Sequence, residues 1–149
     1  MKRIDEELNT SFRNKYVEAF INLKYTVSWL ENIETEFFKP YNISPQQYNI
    51  LRILRGAGNR LKVQTVKERM IERSPNATRL MDKLCDKGLI VRERCEDDRR
   101  VVYVEITSKG KELLKEIDID QLEESINGIS EKEAEILSVL LDKIRNFKN

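Results

Sequence analysis

The chain has 149 residues with 27 basic and 26 acidic side chains and no histidine, for a net charge of +1. That length is enough to bury a sizeable core, and 36% charged beside 40% apolar residues points to a folded, helix-rich protein rather than a disordered chain. Without imidazole there is no Ser-His or Cys-His nucleophile pair and no imidazole metal ligand, and Cys85 and Cys95 alone cannot make a four-thiolate zinc site.

Leu8, Phe12, Tyr16, Phe20, Leu23, Val27, Leu30, Ile33 and Phe37 recur at three- and four-residue spacing. This predicts one long helix across the first forty residues, stopped by Pro40. About 30 helical residues would span ~45 Å, more than a domain of this size covers, so part of that surface calls for a partner. Ser44-Pro45, a cap followed by proline at the first helical position, opens a second helix. It carries Tyr48, Leu51, Ile53 and Leu54 and stops at Gly56-Ala57-Gly58. Those glycines end a helix rather than cradle a phosphate, because Leu61 stands where the third glycine of a dinucleotide fingerprint would be.

Residues 63–72 read as a short helix with Val66, Met70 and Ile71 turned inward. Ser74-Pro75 repeats the cap-plus-proline start and opens a helix running to Lys87, closed by Gly88. Ala77, Leu80, Met81 and Leu84 share one face of it; Asn76, Thr78, Arg79, Asp82 and Lys83 lie elsewhere. Two short helices joined by a tight turn make a helix-turn-helix. The period then changes to alternation: residues 89–94 and 101–106 read as strands around the charged turn Glu96-Asp97-Asp98-Arg99-Arg100, a wing. From Thr107 a helix is expected up to Gly128, with Leu113, Leu114, Ile117, Leu122 and Ile126. Ser130 with Glu133 is a capping box opening a last helix with Ile136, Leu137, Leu140, Leu141, Ile144 and Phe147. The expected fold is mainly α with a small β-hairpin wing.

The net charge is a cancellation. Residues 51–110 hold 15 basic and 9 acidic side chains, a net of +6, while residues 1–50 carry −1 and residues 111–149 carry −4. The positive excess coincides with the helix-turn-helix and wing, where a polyanion would be met. The N-terminal end of the second helix of that motif offers amides to phosphate and its first side chains to base edges. Asn76, Thr78 and Arg79 stand there, with Lys83 one turn on. Arg79 either pairs with guanine or grips phosphate. Ser74 is read first as the helix cap and second as a phosphate contact. At the wing, Arg99 and Arg100 are candidates for minor-groove or phosphate contact.

The run Asp98-Arg99-Arg100-Val101-Val102-Tyr103-Val104-Glu105-Ile106-Thr107-Ser108-Lys109-Gly110 resembles the D-x-R, five residues, Leu-Thr, two residues, Gly pattern of the MarR family of bacterial transcription regulators, with Ile106 in place of leucine. Ala77 to Leu84, then Lys87-Gly88-Leu89-Ile90 and Arg92, resemble its recognition helix and the exit into the wing. Val66-Lys67 departs from the Leu-Ala pair usual in the first helix of the motif. The resemblance implies a homodimer whose recognition helices enter successive major grooves of a pseudo-palindromic operator, with wings in adjacent minor grooves. It divides the chain into a dimerisation helix at 1–40, a winged helix-turn-helix at 41–110 and dimerisation helices at 111–149. It further implies that Asp98 holds Arg100 by a charge-assisted pair, that repression is the commoner outcome, and that a small aromatic ligand relieves binding. Tyr25, Trp29, Phe37 and Tyr48 are the residues able to line such a pocket.

Three alternatives remain in view. A winged-helix protein-interaction module would need an apolar or acidic recognition face, whereas Arg79, Lys83, Lys87, Arg92, Arg94, Arg99 and Arg100 make this one basic. A cysteine-based redox sensor would use Cys85 or Cys95. An enzyme is not expected, since no nucleophile has its base and Asp97-Asp98 sits on an exposed turn. No cofactor and no metal are called for. The cysteine spacing fits free thiols in a reducing cytosol, the N-terminus has no signal-peptide pattern, and no apolar run approaches the ~18 residues of a membrane span. A soluble cytoplasmic, nucleoid-associated bacterial protein is the expectation.

Overall fold

The computed structural model describes residues 2–72, 75–96, 98, 100–124 and 127–147. They form two compact units, residues 1–117 and residues 118–149.

The first unit does not begin with one long helix. A short α1 (Ile4–Glu7) is followed by a break and then by α2 (Lys15–Phe38). Asn9 enters the left-handed region at φ 47°, a conformation asparagine tolerates better than most residues. Asn14 then caps α2 by accepting from the Val17 amide at 2.9 Å. Polar residues 9–11 and 14 thus compete for the backbone within an apolar stripe that by itself reads as continuous. Pro40 ends the segment as expected, within a 3-10 turn, Lys39–Tyr41.

Helix α3 (Pro45–Ala57) starts as its sequence dictates. Ser44 accepts from the Gln47 amide, the Gln47 side chain accepts from the Ser44 amide, and Gly58 closes the helix at φ 68°. Its Ile50, Leu51 and Leu54 are almost fully buried, and α4 (Val63–Arg69) and α5 (Ala77–Asp86) pack on it. Helix α5 opens at Ala77 with Asn76 at its N-cap position, two residues beyond the Ser74-Pro75 start; Ser74 lies outside the described residues. Gln47, buried in the core, donates to the Leu80 carbonyl at 3.3 Å and ties α3 to α5. Val66 and Met70 of the expected short helix are inward, but Ile71 is 87% exposed. Its amide is held by the Asn49 side chain at 3.2 Å after α4 has ended at Arg69.

The wing is a three-stranded antiparallel sheet, not a lone hairpin. Strand β1 (Leu61–Lys62) pairs with β3 (Val102–Ile106), which also pairs with β2 (Ile90–Arg94). Register sets Leu61 opposite Val104 and Arg92 opposite the same residue. Ile90, Val104 and Ile106 turn into the core with Met81 and Leu84 of α5.

Thr107 and Gly110 fasten the next helix, α6 (Ser108–Glu116), to this sheet. The Thr107 hydroxyl accepts from the Gly110 amide at 3.1 Å and donates to the Gly88 carbonyl at 2.7 Å. Gly110 lies so close to the Leu89 carbonyl that an added Cβ would collide with it and would stand 2.8 Å from Ile106 Cγ1. The helix expected to continue toward Gly128 instead stops at Glu116, and Ile117 turns extended with ψ 110°. The alternating Ile117-Asp118-Ile119-Asp120 combines β-branched residues with aspartates, which favour leaving a helix over extending it.

In the second unit a short α7 (Asp120–Glu123) precedes α8 (Glu131–Asn146). The expected capping box is formed, with Ser130 accepting from the Glu133 amide and Glu133 accepting from the Ser130 amide. Ile126 lies outside the described residues.

Candidate nucleic-acid interface

Helix α5 buries Ala77, Met81 and Leu84. That fixes which side chains it can present outward. Arg79 and Lys83, both exposed, stand one turn apart on the same side, and neither makes an ion pair among the described residues. Thr78 is half-buried, and Asn76 sits at the helix's N-cap position with its surface exposed.

The wing tip is closed by backbone. The Asp98 carbonyl accepts from the Val101 amide, and the Val101 carbonyl from the Cys95 amide, each at 2.9 Å. Asp98 Oδ1 also accepts from the Arg100 amide at 3.0 Å. Asp98 therefore does hold Arg100, but through its main chain rather than through the charge-assisted side-chain pair the resemblance implied. Arg100 lines a cleft of about 250 Å³ with Lys62, Val63, Gln64, Arg92, Val101 and Val102. Arg99 lies outside the described residues.

Two of the seven basic side chains counted on this face are used internally. Lys87 donates to the Asn42 carbonyl and its own carbonyl accepts from Lys109 Nζ at 2.8 Å. Arg92 pairs with Asp82. In exchange, Lys62 and Gln64 join the cleft beside Arg100. They escape a reading by period because β1 is too short to alternate and is recognised only by what it pairs with. Arg60, on the approach to β1, is spoken for as well: it pairs with Glu93 at 2.9 Å and lies over the Tyr103 ring at 4.6 Å.

The four aromatic residues assigned to a ligand pocket do not come together as a set. Phe37 and Tyr48 flank the buried Phe38, with ring centroids at 5.0 and 4.5 Å from it. Tyr25 and Trp29 remain exposed further along α2, and the Tyr25 hydroxyl donates to Glu7 at 3.3 Å. A separate cavity of about 320 Å³ is lined by Tyr41, Asn42, Lys87, Leu89, Lys109, Glu112, Leu113 and Glu116, and by none of the four. The Cys85 thiol is pushed above its ordinary range by burial, with Asp82 and Asp86 acting in the same direction and Arg92 opposing. That disfavours the thiolate an oxidant attacks.

Among the described residues no group of side chains is placed to hold a metal ion, and no helix is long and apolar enough to cross a membrane. The family model for the MarR family matches residues 43–102, the span of α3, α4, α5 and most of the wing. The chain is 33% identical over 143 residues to the uncharacterized HTH-type transcriptional regulator YkoM of Bacillus subtilis strain 168, covering 91% of this chain and 92% of that one. It is similar to the crystal structure of a MarR transcription factor from Planctomyces limnophilus, with 33% identity and a TM-score of 0.70 over 91% of this chain and 98% of the other. A mutant MarR from E. coli complexed with operator DNA shares the fold, with a TM-score of 0.77 at 21% identity over 91% and 99% of the two chains. Since a relative one-third identical spans almost its entire length, the chain belongs to the MarR family of winged helix-turn-helix, DNA-binding transcription regulators.

Proposed function

We propose that the protein acts as a homodimer on a pseudo-palindromic duplex operator and represses the genes beside it, working in the bacterial cytoplasm. The observation that carries this reading is the pair Arg79 and Lys83, exposed one turn apart on α5 without carboxylate partners among the described residues. Asn76, Thr78, Arg79 and Lys83 face the major groove, with Ser74 preceding them, while Arg99 and Arg100 approach the minor groove at a tip shaped by Asp98. The E. coli neighbour crystallised with operator DNA supports this use of the fold. Residues 1–40 and 111–149 supply the dimerisation helices and residues 41–110 read the DNA. Tyr16 and Phe20 of α2 in the first unit, and Ile144 and Phe147 near the end of α8 in the second, each strongly exposed on its own unit, support a second copy covering these helices. The reading includes an effector, a small aromatic ligand taken up against Tyr25, Trp29, Phe37 and Tyr48 in the dimer. Trp29 is the sole tryptophan, so salicylate-like probes should quench its fluorescence in step with loss of DNA binding; unchanged emission at millimolar probe rejects that part.

The DNA contacts are tested by fluorescence anisotropy on a duplex selected from a random pool. Arg79→Ala and Arg100→Ala are each expected to weaken binding at least about tenfold, within the ~1–3 kcal/mol of a good base contact. Binding should fall steeply with salt, and each variant that loses a phosphate contact should lower the slope by about one. Wild-type affinity in both variants, or binding indifferent to salt, rejects the reading.

A further inference from the structure

Helix α5 presents Arg79 and Lys83, yet between them stands Asp82, an acid on the face meant for a polyanion. Its carboxylate is not left to repel phosphate: it is paired with Arg92 Nη1 of β2. The two partners differ in setting. The Asp82 side chain is about half exposed, while that of Arg92 keeps only 25% of its surface. Arg92 lies opposite the buried Val104 in the sheet register, which fixes its backbone, and most of its side chain is covered.

The pair lies partway along the wing. Helix α5 and β2 are joined by three residues, with Gly88 at φ 68° serving as the pivot. The base of β2 is fixed where Leu89 meets Gly110, but beyond Arg92 the arm runs on to the tip at Asp98 and Arg100. From Arg92 to Glu96 there are four residue steps, which span at most ~13 Å, and a swing of ~10° over that lever moves the tip by ~2 Å, enough to break a hydrogen bond. Arg92 and Arg100 also share the walls of one cleft.

We propose that Asp82 and Arg92 form a brace between recognition helix and wing, and that Asp82 is a positioning residue for DNA binding: it sets where Arg100 lies relative to Arg79 and Lys83 without itself contacting DNA. The inference rests on the reading above, in which Arg100 touches the duplex. It has a consequence opposite to simple electrostatics. Removing an acid from a DNA-facing helix should tighten binding and free Arg92 for phosphate, whereas removing half of a brace should weaken it.

The test is anisotropy with the selected duplex for the wild-type protein, Asp82→Asn, Arg100→Ala and the double variant, each over a salt series. Asp82→Asn is expected to weaken binding about fivefold or more and to lower the salt slope by about one. Arg100→Ala should then cost far less in the Asp82→Asn background than in the wild type. Because loss of folding would also weaken binding, the charge-exchanged protein Asp82→Lys with Arg92→Glu is measured too, and it should recover affinity to within about threefold. Tighter or unchanged binding by Asp82→Asn overturns the brace, as do strictly additive costs or failure of the exchanged pair, while Arg100→Ala alone still weakens binding. No effect of Arg100→Ala alone overturns the wing contact itself, and the brace falls with it.

Discussion

A few side chains make this wing what it is, and their roles divide by what local sequence can express. Thr107 and Gly110 stand out as a pair three residues apart, and the structure supplies the reason: the threonine caps α6 and bonds back to Gly88, while the glycine lets α6 pass against the Leu89 carbonyl. Gly110→Ala is therefore expected to lower stability by about 1–3 kcal/mol, as overpacking does, measured by urea denaturation; an unchanged midpoint would show that the sheet and α6 can part cheaply. Asp98 was legible as a partner for Arg100, but not which atoms it would hold, because a two-residue spacing suits a bond to the backbone amide as well as one to the guanidinium. Lys87 and Arg92 were legible as charge and as members of the family pattern, but not by their partners. That Lys87 reaches the Asn42 carbonyl, 45 residues away, and Arg92 reaches Asp82 follows from packing that no short window contains.

Elements were legible where their ends carry a chemical signature and illegible where they do not. The Ser44 cap, the Ser130 capping box and the Gly58 and Gly88 stops appear where expected, and Gln47 completes a box at Ser44 as well. The apolar stripe of α2 concealed a break at residues 8–14, since the spacing continues across it while Asn9 and Asn14 take the backbone elsewhere. Strand β1 exists only because β3 offers it an edge. At the start of α8, the Ser130 amide and hydroxyl donate to the Glu133 carboxylate and hold it below the usual carboxylate range. A group depressed in the folded state stabilises above its unfolded pKa and ceases to do so as pH falls through the folded value. Amide exchange in the first turn of α8 should accordingly rise on acidification beyond the intrinsic trend, and Glu133→Gln, which keeps the cap without the charge, should flatten that dependence. An identical pH profile in both proteins would remove the carboxylate from the account.

At the scale of the whole molecule, a net charge of +1 conceals a reading segment of +6 between acidic flanks, and within that segment the charges that remain available are fewer than composition suggests. Arg79, Lys83, Arg94 and Arg100 stay exposed, while Lys87 and Arg92 hold the module together. The apolar residues left uncovered on α2 in the first unit and on α8 in the second are the counterpart of this division: periodicity revealed that they are apolar, and the structure of each unit leaves them exposed. A dimer formed there would present two copies of α5 to one duplex. Selecting duplexes from a random pool with the purified protein, followed by sequencing, tests that claim most directly. A dimer on DNA should enrich an inverted repeat with half-sites ~10 bp apart, centre to centre; an enriched single half-site without its repeat, or no enriched sequence at all, would rule it out.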